Sequence, residues 1–204
     1  MRPPDRGLRA AAAGRRLLPA LSIQPLLLLW DIDGTLLQRA STEHAVALKR
    51  ALSDVHGVDV EGLAVDAAGR TDNAIARSLL EASGVDPSVI DGRAGDVLAA
   101  TCAAYETLCP ADLSATVSLG IPEVLDVLAA RPEEFRFSLV TGNFERVARR
   151  KLAAAGIGHH FPEGQGGFGS DAEARAELPP VARARAGDWP RERTVIIGDT
   201  PRDI

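Results

Sequence analysis

Five consecutive apolar residues, Leu26-Leu27-Leu28-Leu29-Trp30, stop at an acid, Asp31; a second acid and a glycine follow at Asp33 and Gly34. A short unbroken apolar run bounded by turn formers suits a parallel strand covered on both faces. Leucine by itself does not choose strand over helix; the flanking Pro25 and Gly34 do. A buried parallel strand needs neighbours joined by crossovers, so this one run commits the chain to an α/β arrangement. Similar runs recur at 135–140, ending at Thr141-Gly142-Asn143, and at 194–197, ending at Gly198-Asp199. Helical patterns lie between them at 122–130 and at 145–155, the second closed by Gly156. Strands alternating with helices predict a parallel sheet.

The stretch 41–115 reads differently. The spacing predicts a helix over 41–56 that stops at Gly57, and another, capped by Thr71 or Asp72, that runs through Ala82 and stops by Gly84. Ala94, Val97, Leu98, Thr101, Cys102, Tyr105 and Leu108 mark one face of a third helix. The chain therefore divides into a core of 25–40 and 116–204 and an all-helical insert of 41–115. Residues 1–24, rich in Arg, Ala and Pro, read as a disordered extension. Arg15-Arg16-Leu17-Leu18 imitates the start of a secretion signal, but Pro19 and Pro25 interrupt it and no small-residue cleavage pattern follows. Nothing the length of a helix or strand follows 194–197, so the chain looks truncated after what would be the fourth core strand.

Composition narrows the class further. The 204 residues carry a net charge of −5, which opposes a general nucleic-acid binder. No apolar run approaches the roughly 18 residues of a membrane span. Cys102 and Cys109 are seven apart on one predicted helix, about 10 Å along its axis. That separation disfavours a disulfide and suits reduced thiols in the cytoplasm. The expected partner is a small molecule, bound by a monomer or a homodimer.

Ligands of such sheets collect at the carboxyl ends of strands. Asp31 stands at one such end, where a carboxylate can act as a nucleophile and carry a phosphoryl group. Asp33, two residues on, can give and take a proton. Two acids facing a phosphate dianion repel it, so a hard cation, Mg²⁺, is expected. Thr141-Gly142-Asn143 offers a hydroxyl and backbone N–H groups to phosphoryl oxygens. Asp199 and Asp203, four residues apart, could hold the cation and support its ligand. Each segment also has a plainer reading: a calcium loop or turn at 31–34, a capped turn at 141–143, an acidic turn at 199–203. His44, His56, His159 and His160 have no partners at metal spacing and read as structural.

Taken in this order, Asp31-Ile32-Asp33-Gly34-Thr35-Leu36, Thr141 and Gly198-Asp199 with Asp203 resemble the first, second and fourth motifs of the haloacid dehalogenase (HAD) superfamily. The helical insert resembles the cap of its phosphoglycolate phosphatase and beta-phosphoglucomutase relatives. The resemblance implies a Rossmann-like core and Mg²⁺-dependent hydrolysis of a small phosphomonoester through an aspartyl-phosphate. A sugar phosphomutase of the same family, or an inactive truncated form, are the alternatives. It implies Asp31 as nucleophile, Asp33 as acid and base, and Asp31, Asp33 through its carbonyl, Asp199 and Asp203 around the metal. Gly34, Thr35, Gly142 and Asn143 would meet the substrate; apart from the resemblance, Arg70 in the loop Gly69-Arg70-Thr71-Asp72 could meet a substrate anion, or the loop is simply the turn that starts a helix. The family's third motif is a cation, most often Lys. Arg175, 24 residues before Asp199, is the expected counterpart, with Arg183 and Arg185 as alternatives. Lys151, ten residues past Thr141 and inside a predicted helix, reads as badly placed. An acid at position 33 distinguishes phosphate-ester enzymes from dehalogenases of this resemblance.

Overall fold

Strand β1 (Leu26–Trp30) is an inner strand of a four-stranded parallel sheet, as its unbroken apolar run predicts. In the computed structural model, which describes residues 25–203, β1 pairs with β2 (Phe135–Thr141) on one side and β4 (Thr194–Ile197) on the other. A two-residue strand, β3 (Gly167–Phe168), completes the order β3-β2-β1-β4. The expected extension at 1–24 lies outside the described residues.

Side chains alternate across β1 and divide the core into two layers. Leu27 and Leu29 pack with Val140 against Leu178 and Ala182 of α6 (Leu178–Arg185). Leu28 and Trp30 face the larger layer, which holds Phe137, Leu139 and Leu125 of α4 (Ile121–Ala129). The same layer takes Val147, Ala148 and Leu152 of α5 (Glu145–Ala154). Each fully buried leucine contributes about 1.5–3 kcal/mol, which favours placing this run at the sheet's centre.

Three helices fall within residues 41–115, ahead of α4 and β2. Helix α1 (Thr42–His56) ends where Gly57 takes a left-handed conformation and returns its N–H to Ser53 O. Helix α2 (Asp72–Ala82) is capped by Thr71, whose Oγ1 accepts from Ala74 N at 3.1 Å. Helix α3 (Pro87–Leu108) starts well before its apolar face shows in the sequence, because Asp86 caps it and Pro87 fits its first turn. Helices α1 and α3 pack along one another. The start of α2 is seated on the core: Asp72 N donates to Gly142 O at 2.8 Å and Asn73 Nδ2 to Gly169 O at 2.9 Å.

Strand β3 is absent from the sequence reading. It lies in the glycine-rich stretch 164–169, which carries no apolar run, and only its pairing with Val140 and Thr141 makes it a strand. Among the described residues, no helix is long and apolar enough to cross a membrane.

Candidate active site

The strand order places β2 and β3 on one side of β1 and β4 on the other, so connections diverge at the β1–β4 boundary. A crevice opens at the carboxyl ends of such a boundary. Asp31 leaves β1 there, Thr141 ends β2, and Asp199 follows β4 by two residues. These residues, with Asp33, Gly142, Asn143 and Arg175, line one cavity of about 330 Å³. A larger open groove of about 860 Å³ runs along the outer side of α5 but contains none of these acids.

Asp31 is buried, and Arg175 lies 2.8 Å from its Oδ2. The same guanidinium also pairs with Asp203 Oδ1, with its Nε at 3.0 Å. Asp203 turns its other oxygen to Thr200, accepting from the backbone N and from Oγ1. Both oxygens of Asp203 are thus occupied, which suits a supporting acid. Burial pushes the Asp31 carboxyl up to about 6, more than Arg175 and the Ile32 N–H pull it down. The remaining acid, Asp199, is exposed and accepts from Thr35 Oγ1 at 3.3 Å. Carboxylate oxygens of Asp31, Asp199 and Asp203 all lie within 4.8 Å of one another. An all-oxygen acidic set of this size fits a hard divalent cation such as Mg²⁺.

Asp33 stands apart from that triad. Its oxygens accept from Ser41 Oγ at 3.1 Å, Asn143 Nδ2 at 2.8 Å and Lys151 Nζ at 2.8 and 2.7 Å. Burial alone would raise this carboxyl, but the Lys151 ammonium and the Asn143 amide hold it down at about 2. The expectation that Lys151 is badly placed is therefore corrected. Helix α5 turns Lys151, fully buried, inward beside Val147, Ala148 and Leu152 and points it at Asp33. His44 also does more than fill the core, since it lines the cavity and touches both Lys151 and Asp72.

Two glycines shape the floor. Gly34 has a φ of 87°, and a Cβ there would collide with the Asp199 carboxylate. A Cβ at Gly142 would collide with the Arg70 carbonyl, so the insert's loop and the core's loop meet backbone to backbone. Arg70 itself borders the cavity, but its guanidinium donates to Ala74 O at 2.6 Å and Ser78 Oγ at 2.7 Å. Arg183 and Arg185 do not line this cavity, and Arg185 pairs with Asp171 at 2.6 Å. Cys102 and Cys109 are both free and buried.

A family profile described as haloacid dehalogenase-like hydrolase matches residues 28–204. The chain belongs to that family. No curated protein matches it. Among solved structures it is similar in fold to a predicted phosphoglycolate phosphatase from Haemophilus somnus 129PT, at TM-score 0.56 and 19% identity over 89% of this chain and 80% of that one. CbbY from Rhodobacter sphaeroides, solved in complex with phosphate, gives TM-score 0.58 and 15% identity over 88% and 80%. Beta-phosphoglucomutase from Clostridium difficile gives 0.58 and 14% over 87% and 77%.

Proposed function

We propose that this protein is a Mg²⁺-dependent phosphatase that hydrolyses a small phosphomonoester through an aspartyl-phosphate on Asp31. The observation that carries the reading is the pairing of two carboxyls in one cavity with opposite environments. Asp31 is buried beside Arg175, and Asp33 is held ionised by Lys151. Asp31, at the end of β1 beside a guanidinium, is placed for attack on a phosphoryl group, and Asp33, two residues on, is placed for proton transfer. Residues 41–115 would act as a cap over the core of 25–40 and 116–204, in a cytoplasmic protein.

In the first half-reaction an Asp31 oxygen attacks phosphorus in line. The bond from phosphorus to the leaving oxygen breaks, and that oxygen takes a proton from Asp33. In the unliganded site Asp33 holds no proton at neutral pH, so the proton enters with the substrate as its phosphate monoanion. A phosphoryl charge beside Asp33 also favours its protonated form. In the second half-reaction Asp33, again a carboxylate, takes a proton from water. The water oxygen bonds to phosphorus, the acyl-phosphate bond breaks and restores Asp31, and the proton on Asp33 leaves with the product as the phosphate monoanion. Thr141 and Arg175 would hold the transferring oxygens. The Asp31 carboxylate, the Asp33 carbonyl and Asp199 would hold Mg²⁺, with Asp203 in support. That ion supplies charge screening between acids and phosphate.

Phosphate release from a panel of alkyl monophosphates, with Mg²⁺ and with chelator, tests the reading. Metal-dependent release is expected. Activity only with a sugar-bisphosphate primer would instead point to a phosphomutase, and no turnover of any ester would sink both. Asp199→Ala should raise the Mg²⁺ concentration for half-maximal rate, because it removes one of few protein oxygens. An unchanged metal dependence would make Asp199 a turn acid.

Arg175→Ala should cost about ten- to a hundredfold in activity, the usual worth of a charge-assisted contact. Arg183→Ala should cost little, and Arg185→Ala little beyond an exposed ion pair of at most about 1 kcal/mol. Arg175→Lys should recover part of the loss while lacking the planar fork. Rates are compared on variants that melt like the parent. A near-normal Arg175→Ala beside a dead Arg183→Ala would reassign the cation.

A further inference from the structure

Lys151 is fully buried, and its ammonium has three N–H groups with three partners. Two are the Asp33 oxygens; the third is Nδ1 of His44, at 3.3 Å. An ammonium only donates, so Nδ1 must accept, and the ring proton sits on Nε2. Nε2 lies 3.0 Å from Asp72 Oδ2, which also accepts from Phe144 N at 2.7 Å. The edge of Tyr105 from α3 meets the His44 ring at 5.6 Å between centroids, fixing its place. Four side chains thus run in one hydrogen-bonded line from the insert to the core's second acid.

Asp72 is the first residue of α2, and its buried carboxylate is not needed to start that helix. Thr71 is the cap, accepting from Ala74 N. A buried carboxylate is costly unless its partners are specific. Here both partners belong to segments that flank the reaction, His44 on α1 and Phe144 after Thr141.

We propose that Asp72 is a positioning residue for Asp33, acting through His44 and Lys151. This rests on the reading of Asp33 as the acid and base. A lysine has a flexible stem with freely turning donors. The bond to His44 Nδ1 stops that turning, so the other two donors fix the plane of the Asp33 carboxylate. Asp72 in turn fixes which His44 nitrogen carries the proton. Because Asp72 is on the insert, Asp33 is fully aligned only when α2 is seated on the Gly142–Phe144 loop.

The test is Asp72→Asn. The amide keeps the shape, and its oxygen in the place of Oδ2 can still take both N–H groups. Being neutral, it holds Nε2–H more weakly than a carboxylate, so the ring proton is no longer fixed on Nε2. Nitrogen-15 spectra of the His44 ring read this without any substrate: Nε2–H in the parent, Nδ1–H or a mixture in the variant. Single-turnover rates read the consequence. Release of an alkyl leaving group, which needs a proton, should fall about ten- to a hundredfold, the usual cost of losing such a support. Release of p-nitrophenol from p-nitrophenyl phosphate, which needs none, should change by less than about threefold.

Equal losses on both substrates with an unchanged ring pattern would reduce Asp72 to a clamp and overturn the proposal. A parent inactive on both esters would defeat the phosphatase reading instead. The ring spectra would then still decide the link, an unchanged pattern overturning it. Should Asp72→Asn melt early, His44→Gln and His44→Phe replace it. Glutamine can still accept from Lys151 and donate to Asp72; phenylalanine can do neither. Recovery of alkyl-ester turnover by His44→Gln relative to His44→Phe supports the line, and equal losses contradict it.

Discussion

Asp31→Asn is expected to lower turnover below about a hundredth of the parent, because an amide cannot serve as the nucleophile. The same change should make the metal-free protein more stable at alkaline pH. Burial lifts the Asp31 carboxyl from 3.8 to about 6, so the folded state holds its proton more tightly than the unfolded one. A raised carboxyl contributes stability that is full below about pH 3.8 and is lost as pH rises through about 6. Above that window the ionised group costs up to about 3 kcal/mol, part of it offset in the variant by Arg175 losing a partner. Urea midpoints in chelator should therefore rise in Asp31→Asn at pH 8 and hardly move at pH 4. A lower midpoint at pH 8 would show that the Arg175 pair outweighs the burial. Adding Mg²⁺ should stabilise the parent and not the variant, since ligand binding to the folded state raises its stability.

The second large effect belongs to Lys151→Met. Methionine fills the space but leaves Asp33 without its cation. Breaking a buried pair from one side typically costs about 3–5 kcal/mol, and the lower end applies because Asp33 is only half-buried. The Asp33 carboxyl, held at about 2 in the parent, should rise once the ammonium is gone and the Asn143 amide is left to oppose burial. A depressed carboxyl contributes stability that is present above about pH 3.8 and is lost as pH falls towards about 2. The variant lacks that contribution, so the two proteins should differ most above pH 4 and converge in stronger acid. Turnover should fall by about a hundredfold or more, the range attributed to a placed acid or base. An unchanged pH-stability curve would mean that Lys151 and Asp33 are not coupled.

The strand ends were legible because their signal is local. Each apolar run stops at the residue that enters the crevice: Asp31, Thr141, and Gly198 before Asp199. Thr71, Gly57 and Gly84 marked helix ends because capping chemistry is also local. Lys151 escaped for a physical reason. It follows Arg146, Arg149 and Arg150, and such a cluster of cations resembles a solvated face. The usable signal was helical phase: Lys151 falls four residues after Val147 and three after Ala148, on the apolar face, whereas Arg146 falls on the outer one. His44 carries the same signal, sharing its face with Ala47, Leu48 and Ala51. A charged or titratable residue in phase with a helix's buried face needs a buried partner, and no local pattern shows that the partners are Asp33 and Asp72.

The most direct test of the account is chemical capture of the intermediate. The parent protein is mixed with Mg²⁺ and a turned-over alkyl monophosphate, quenched in acid within a single turnover, and treated with borohydride. Borohydride reduces an acyl-phosphate to an alcohol and leaves a free carboxylate untouched. Peptide mass spectrometry should find the reduced side chain at Asp31, and not at Asp33, Asp199 or Asp203, and only when substrate is present. Turnover with no reduced carboxyl at Asp31, or with the mark on another acid, would contradict the assignment of Asp31 as nucleophile.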